Sequence, residues 1–111
     1  PRYVGDVRAR AMAILAEKIS AADAHAYGMV WKMIPDDALQ DEAQKLARHL
    51  ASMPTRAYAL IKQALNGSTE RSLTEQLELE ATLQDQAGKT ADFKEGVAAF
   101  LAKRPPNFQG K

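Results

Sequence analysis

Phe100, Lys103 and Arg104 are the one grouping in this sequence whose residue types and spacing suit a bound ligand. Phe100 and Lys103 are three apart, so on a helix they share a face. Arg104 adds a second cation near the helix C-terminus, where positive charge is favoured. An aromatic ring beside cations can stack on a flat heterocycle while the cations meet a phosphate. The plainer reading puts Phe100 in the core and leaves Lys103 and Arg104 to complement the helix dipole, and periodicity alone favours it. The other candidates are weaker. His25 and His49 fall on different helices, with no second histidine or carboxylate at zinc-ligand spacing, and read as structural. Glu75, Glu78 and Glu80 could suggest acid/base work, yet an exposed helical face explains them equally well. No Gly-rich phosphate loop is present. The glycines punctuate helices, apart from Gly96. A glycine inside a helix costs about 1 kcal/mol against alanine, so Gly96 suggests close packing or backbone approach.

The elements that carry these residues read as mainly α, five or six helices with one short extended segment. A helix over 6–18 puts Val7, Ala11, Ile14, Leu15 and Lys18 on one side. Ser20 caps a short helix over 21–27, with Asp23 placed to reach back, and Gly28 ends it. Residues 29–35, MVWKMIP, are β-like, and form an isolated extended segment or pair elsewhere. Asp36 and Asp37 open a helix whose inward side is Leu39, Ala43, Leu46, Ala47 and Leu50. Pro54 interrupts it. A helix over 55–66 turns Ala57, Leu60, Ile61, Ala64 and Leu65 inward and stops at Asn66-Gly67. Ser72 and Glu75 form a capping box for a helix to about 87, with Leu73, Leu77, Leu83 and Ala81 toward the core and Gly88 at its end. Thr90 caps the last helix, over 91–103, with Phe93, Val97, Phe100 and Leu101 as its apolar side and Pro105-Pro106 after it.

The chain has 111 residues, 46% hydrophobic and 26% charged, with 15 basic and 14 acidic side chains and a net charge of +1. That length suggests one domain, over 1–111. The charge balance offers nothing to nucleic acid. Without cysteine, neither a disulfide framework nor a cysteine metal site is available. No apolar run approaches the ~20 residues of a membrane span. A cytoplasmic setting is the expectation. The sequence opens Pro-Arg-Tyr-Val-Gly without methionine, which leaves open an excised piece of a longer polypeptide or a trimmed initiator.

RARAMAILAEKISAADAHAYGMVWKMIPDDALQDEAQKLARHLASMP resembles the C-terminal region of the crotonase (enoyl-CoA hydratase/isomerase) superfamily. The shared pattern is an Ala-rich helix, a small-residue turn that closes with Gly28-Met29-Val30, a strand, and Pro35-Asp36-Asp37 opening a helix. IKQAL, residues 61–65, and DFKEGVAAFLAKRPPNFQGK, residues 92–111, are similar to that superfamily's later helices and terminal signature. Within it, AHAYGMVWKMI, LARHLASMPT, LIKQALN and EGVAAFLAKRPPNFQGK are similar to the members that isomerise ring-1,2-epoxyphenylacetyl-CoA in phenylacetate catabolism.

The resemblance implies the helical trimerisation region of the crotonase fold, without the β-spiral that carries the oxyanion hole and the catalytic acid. Those groups would lie upstream of Pro1, so no catalytic residue is expected here and none of the glutamates is assigned that role. It implies an acyl-CoA thioester as substrate, with coenzyme A part of that substrate and no separate cofactor. It also implies a homo-oligomer, trimer or hexamer. Phe100 and Lys103 match the positions that lie near the adenine and phosphates of coenzyme A, which is the site expectation. An ordinary enoyl-CoA hydratase or delta-isomerase of the same fold is the nearest alternative. A free-standing, non-enzymatic helical interaction module is another. No metal, nucleic acid or membrane enters any of these readings.

Overall fold

The computed structural model describes residues 1–111 as six helices: α1 (Asp6–Leu15), α2 (Ala21–Ala26), α3 (Leu39–Ala51), α4 (Thr55–Leu65), α5 (Leu73–Gly88) and α6 (Ala91–Leu101). Their order matches the helical reading. The chain forms two compact units, Pro1–Glu42 and Ala43–Lys111.

In the first unit, α1 stops three residues earlier than periodicity suggests. Ala16 takes a left-handed conformation, φ 51°, and its N–H still bonds Met12 O. Val7, Ile14 and Leu15 are exposed, so the apolar side expected to face a core is uncovered. α2 is capped as its sequence suggests: Ser20 Oγ accepts the Asp23 N–H at 3.0 Å. The Asp23 carboxylate reaches back to the Ser20 hydroxyl. At its other end Gly28 has φ +77°. The N–H groups of Gly28 and Met29 bond His25 O and Ala24 O at 3.0 and 2.9 Å, the paired bonds of a Schellman stop. A Cβ on Gly28 would sit 3.4 Å from Tyr3 O. The Arg8 guanidinium lies over the Tyr27 ring, 4.8 Å from its centroid. Residues 29–35 form bends and coil without a ladder, because no second strand offers backbone partners. Asp36 and Asp37 lie in a turn closed by Ala38 N–H on Pro35 O at 3.0 Å. The helix proper begins at Leu39.

In the second unit, α4 packs on α5 and α5 on α6. Leu60, Leu83 and Ala99, one from each helix, are its buried apolar residues. Ile61, Leu65, Leu73 and Leu77, expected inward, are exposed. The seams between α4, α5 and α6 cover only these few residues, and the remaining apolar surface needs further elements packed on it.

Two local devices hold this unit in register. Ser72 and Glu75 complete a reciprocal capping box, with Ser72 N–H on Glu75 Oε2 at 2.8 Å and Glu75 N–H on Ser72 Oγ at 3.3 Å. The Ser72 hydroxyl, donating to Glu75 Oε2 at 2.7 Å, and then the Ser72 N–H hold the Glu75 carboxyl below its ordinary pKa. Arg71 bridges two elements. It donates to Ala64 O (3.2 Å), to Asn66 O (2.7 Å) and to Gln76 Oε1 (2.9 Å). Gln76 Nε2 donates to the same Ala64 O at 3.2 Å. The end of α4 thus receives donors from the start of α5, meeting carbonyls that a helix end would leave unpaired.

Candidate functional site

α6 begins at Thr90, whose Oγ1 accepts the Phe93 N–H at 3.1 Å and donates to Ala87 O at 2.7 Å. The helix ends at Leu101, two residues short of the expected 103. Ala102 is the C-cap, and Lys103 follows with φ 51°. Lys103 N–H bonds Phe100 O at 3.2 Å, and Arg104 N–H bonds Ala99 O at 3.0 Å. This is again a Schellman pair, but with lysine where glycine is usual. A side chain in this conformation costs roughly 1–2 kcal/mol that glycine would not. Lys103 is therefore outside the helix, and the shared helical face expected from i, i+3 spacing does not reach it. Phe100 and Lys103 are joined instead through the backbone bond of the cap.

Phe100 is 83% exposed. That overturns the reading of Phe100 as core. It lines an open apolar groove of about 390 Å³ together with Phe93, Val97, Leu101, Phe108 and Pro54. Lys103 is likewise exposed. Arg104, however, is not a second free cation. Its Nη1 and Nη2 donate to Glu95 Oε1 and Oε2 at 2.6 and 2.8 Å, and Nη1 also meets Pro105 O at 3.1 Å. Two parallel bonds between a planar guanidinium and a carboxylate give a geometrically defined pair. The Asn107 N–H adds a third donor to Glu95, at 2.8 Å. Arg104 and Asn107 together hold the Glu95 pKa down to about 2, while the pair raises that of Arg104.

The tail returns along the helix to its start. Asp92, 3% exposed, accepts the N–H groups of Gln109 and Gly110, one on each carboxylate oxygen, both at 2.7 Å. Its own N–H bonds Lys111 O at 3.0 Å. A buried carboxylate is tolerated here because each oxygen has an amide donor. Phe108 lies against Gly96: a Cβ there would be 3.6 Å from the ring, an ordinary contact. Gly96 is thus the place of a close approach, as its position inside a helix suggests, although the ring leaves room for a methyl. Gly110 has no such room. Its φ is +74°, and a Cβ would fall 2.5 Å from Thr55 Oγ1.

The remaining candidates have structural settings. His25 Nδ1 lies 3.3 Å from Val30 O, and His49 is exposed in the last turn of α3. Glu75 belongs to its capping box, and Glu80 accepts from Gln76 Nε2 at 2.7 Å. No group of three or more histidine, cysteine or acidic side chains could hold a metal ion. No helix is long and apolar enough to cross a membrane. Sequence reasoning missed Asp92 and Glu95. The available signal was two acids three apart on a helix that precedes a Pro-Pro-Asn-Phe-Gln-Gly tail, with bare amides needing acceptors.

The six helices and the helix-plus-tail terminus are those of the C-terminal helical region of the crotonase fold. The enoyl-CoA hydratase/isomerase family matches residues 1–111, and the chain belongs to that family. It is 50% identical over 111 residues to the 1,2-epoxyphenylacetyl-CoA isomerase of Escherichia coli K12, covering all of this chain and 42% of that protein. It is 46% identical to a protein of Rhodobacter capsulatus named "Probable enoyl-CoA hydratase", covering all of this chain and 43% of that one. The crystal structure of an enoyl-CoA hydratase from Geobacillus kaustophilus superposes with a TM-score of 0.94 at 34% identity, over 99% of this chain and 42% of that chain. The chain therefore spans about two fifths of the length of the curated relatives it matches.

Proposed function

We propose that the full polypeptide carrying these residues is an enzyme acting on a coenzyme A thioester. Its reaction would be the isomerisation of ring-1,2-epoxyphenylacetyl-CoA to the seven-membered oxepin in aerobic phenylacetate catabolism. The observation that carries this reading is the 50% identity, unbroken in coverage from residue 1 to 111, to an isomerase of that name. In this reading no residue of 1–111 is catalytic. Enolate-type charge would be stabilised by backbone donors encoded upstream, and these helices supply oligomerisation and part of the coenzyme A contact. The assembly would be a homotrimer or hexamer in the cytoplasm, with no cofactor beyond the coenzyme A of the substrate.

Phe100 and Lys103 are the proposed contact, the ring against adenine and the ammonium against a phosphate. Two features support them. Phe100 is kept in water, where a large aromatic side chain gains nothing unless something covers it. Lys103 holds a conformation that glycine would adopt more cheaply. The hydratase or delta-isomerase reading stays second, favoured by the 46% identity to the Rhodobacter protein.

Product analysis separates the two readings. Incubation of the full-length protein with the epoxide thioester should consume it without change of mass. Hydration of an unsaturated acyl-CoA would add one water. Turnover of crotonyl-CoA but not of the epoxide would reject the isomerase.

A further inference from the structure

We propose that Glu95 is the positioning residue for Lys103: it clamps the chain reversal after α6 so that the lysine is offered to a phosphate from a fixed backbone. The proposal rests on the reading of Phe100 and Lys103 as the contact for the nucleotide end of coenzyme A.

Lys103 lies between two anchors. Behind it are the cap bonds to Ala99 O and Phe100 O. Directly after it, the Arg104 guanidinium is held on both oxygens of Glu95, which lies on α6. The Asn107 N–H shares Oε1, so the chain on both sides of Pro105-Pro106 is tied to one carboxylate. The Glu95 side chain is only 25% exposed, and its acceptors face the tail. The adjacent arginine therefore serves as the clamp and leaves the phosphate to Lys103. A left-handed lysine persists only where its surroundings over-determine it. Without the clamp, residues 103–107 would gain freedom that binding must then remove, and affinity would fall without any lost contact.

The test uses the full-length protein and two substrates: a coenzyme A thioester, and the matching pantetheine thioester, which lacks the nucleotide. Glu95→Gln removes the charge and one of the paired acceptors. Arg104→Lys keeps the charge but cannot form two parallel bonds. Each should raise KM for the coenzyme A thioester by about three- to tenfold, leaving kcat and the pantetheine thioester's KM unchanged. An unchanged coenzyme A KM in both variants overturns the proposal. So does an equal change for the two thioesters, which would mark a merely structural role. If Glu95→Gln does not fold, Arg104→Lys gives the same readout. Lys103→Gly serves as reference. If it raises KM and the clamp variants do not, only the clamp fails; if it too has no effect, the nucleotide-end contact fails with it.

Discussion

The terminal region turns on two acidic side chains, Glu95 and Asp92, that gather donors from the tail. Glu95 accepts from Arg104 and Asn107, which lower its pKa to about 2. A depressed carboxylate contributes stability that is fully present above its unfolded pKa, near 4.5, and is lost as pH falls from there through about 2. An NMR titration should show the Glu95 carboxylate protonating well below the exposed glutamates. A midpoint among theirs would mean that the pair does not persist in solution. Gly96 and Gly110 should respond to alanine with opposite signs. Gly96→Ala adds a methyl in ordinary contact with Phe108 and removes a mid-helix glycine, so it should stabilise by up to about 1 kcal/mol in urea unfolding. Gly110→Ala strains a left-handed residue and drives Cβ onto Thr55 Oγ1. It should loosen the tail by about 1–3 kcal/mol, seen as faster amide exchange at Gln109 and Gly110.

At the scale of elements, the caps were the most legible part of the sequence. Ser20, Ser72 with Glu75, and Thr90 all act as their types and spacing suggest, because a cap is decided by residues within one turn. Arg71 was illegible. It ties α4 to α5 through the carbonyls of Ala64 and Asn66, and any residue type can offer a carbonyl. Arg71→Ala should cost about 1–3 kcal/mol, the range for losing hydrogen bonds from a charged donor, and chemical denaturation measures it. A loss within 0.5 kcal/mol, about that of an ordinary surface change, would mean that the bridge is replaced by water. The Asp92 clasp was hidden for the same reason: its partners are amides 17 and 18 residues ahead. The α6 terminus was half legible. Pro105 and Pro106 marked a stop, but a lysine in the glycine position carries no residue-type signal. Residues 29–35 misled because β-branched and bulky residues favour a strand only when a neighbour supplies its ladder.

For the whole molecule, periodicity found the apolar sides of the helices and could not say which are covered. Leu60, Leu83 and Ala99 are buried, while Val7, Ile14, Trp31, Leu73 and Leu101 stay exposed. An apolar stripe records that burial is favourable, not which chain provides it. Residues 1–111 expressed alone should therefore self-associate or bind a hydrophobic dye strongly. Sedimentation as a dye-negative monomer would contradict that. The central claim is that the end of α6 meets the nucleotide end of a coenzyme A thioester, and Lys103→Gly tests it most directly because stability and binding should move in opposite directions. Calorimetric titration of coenzyme A into the full-length protein should show binding weakened about tenfold, some 1.4 kcal/mol, with thermal stability equal to or above that of the parent. Unchanged affinity in the Lys103→Gly protein would contradict it.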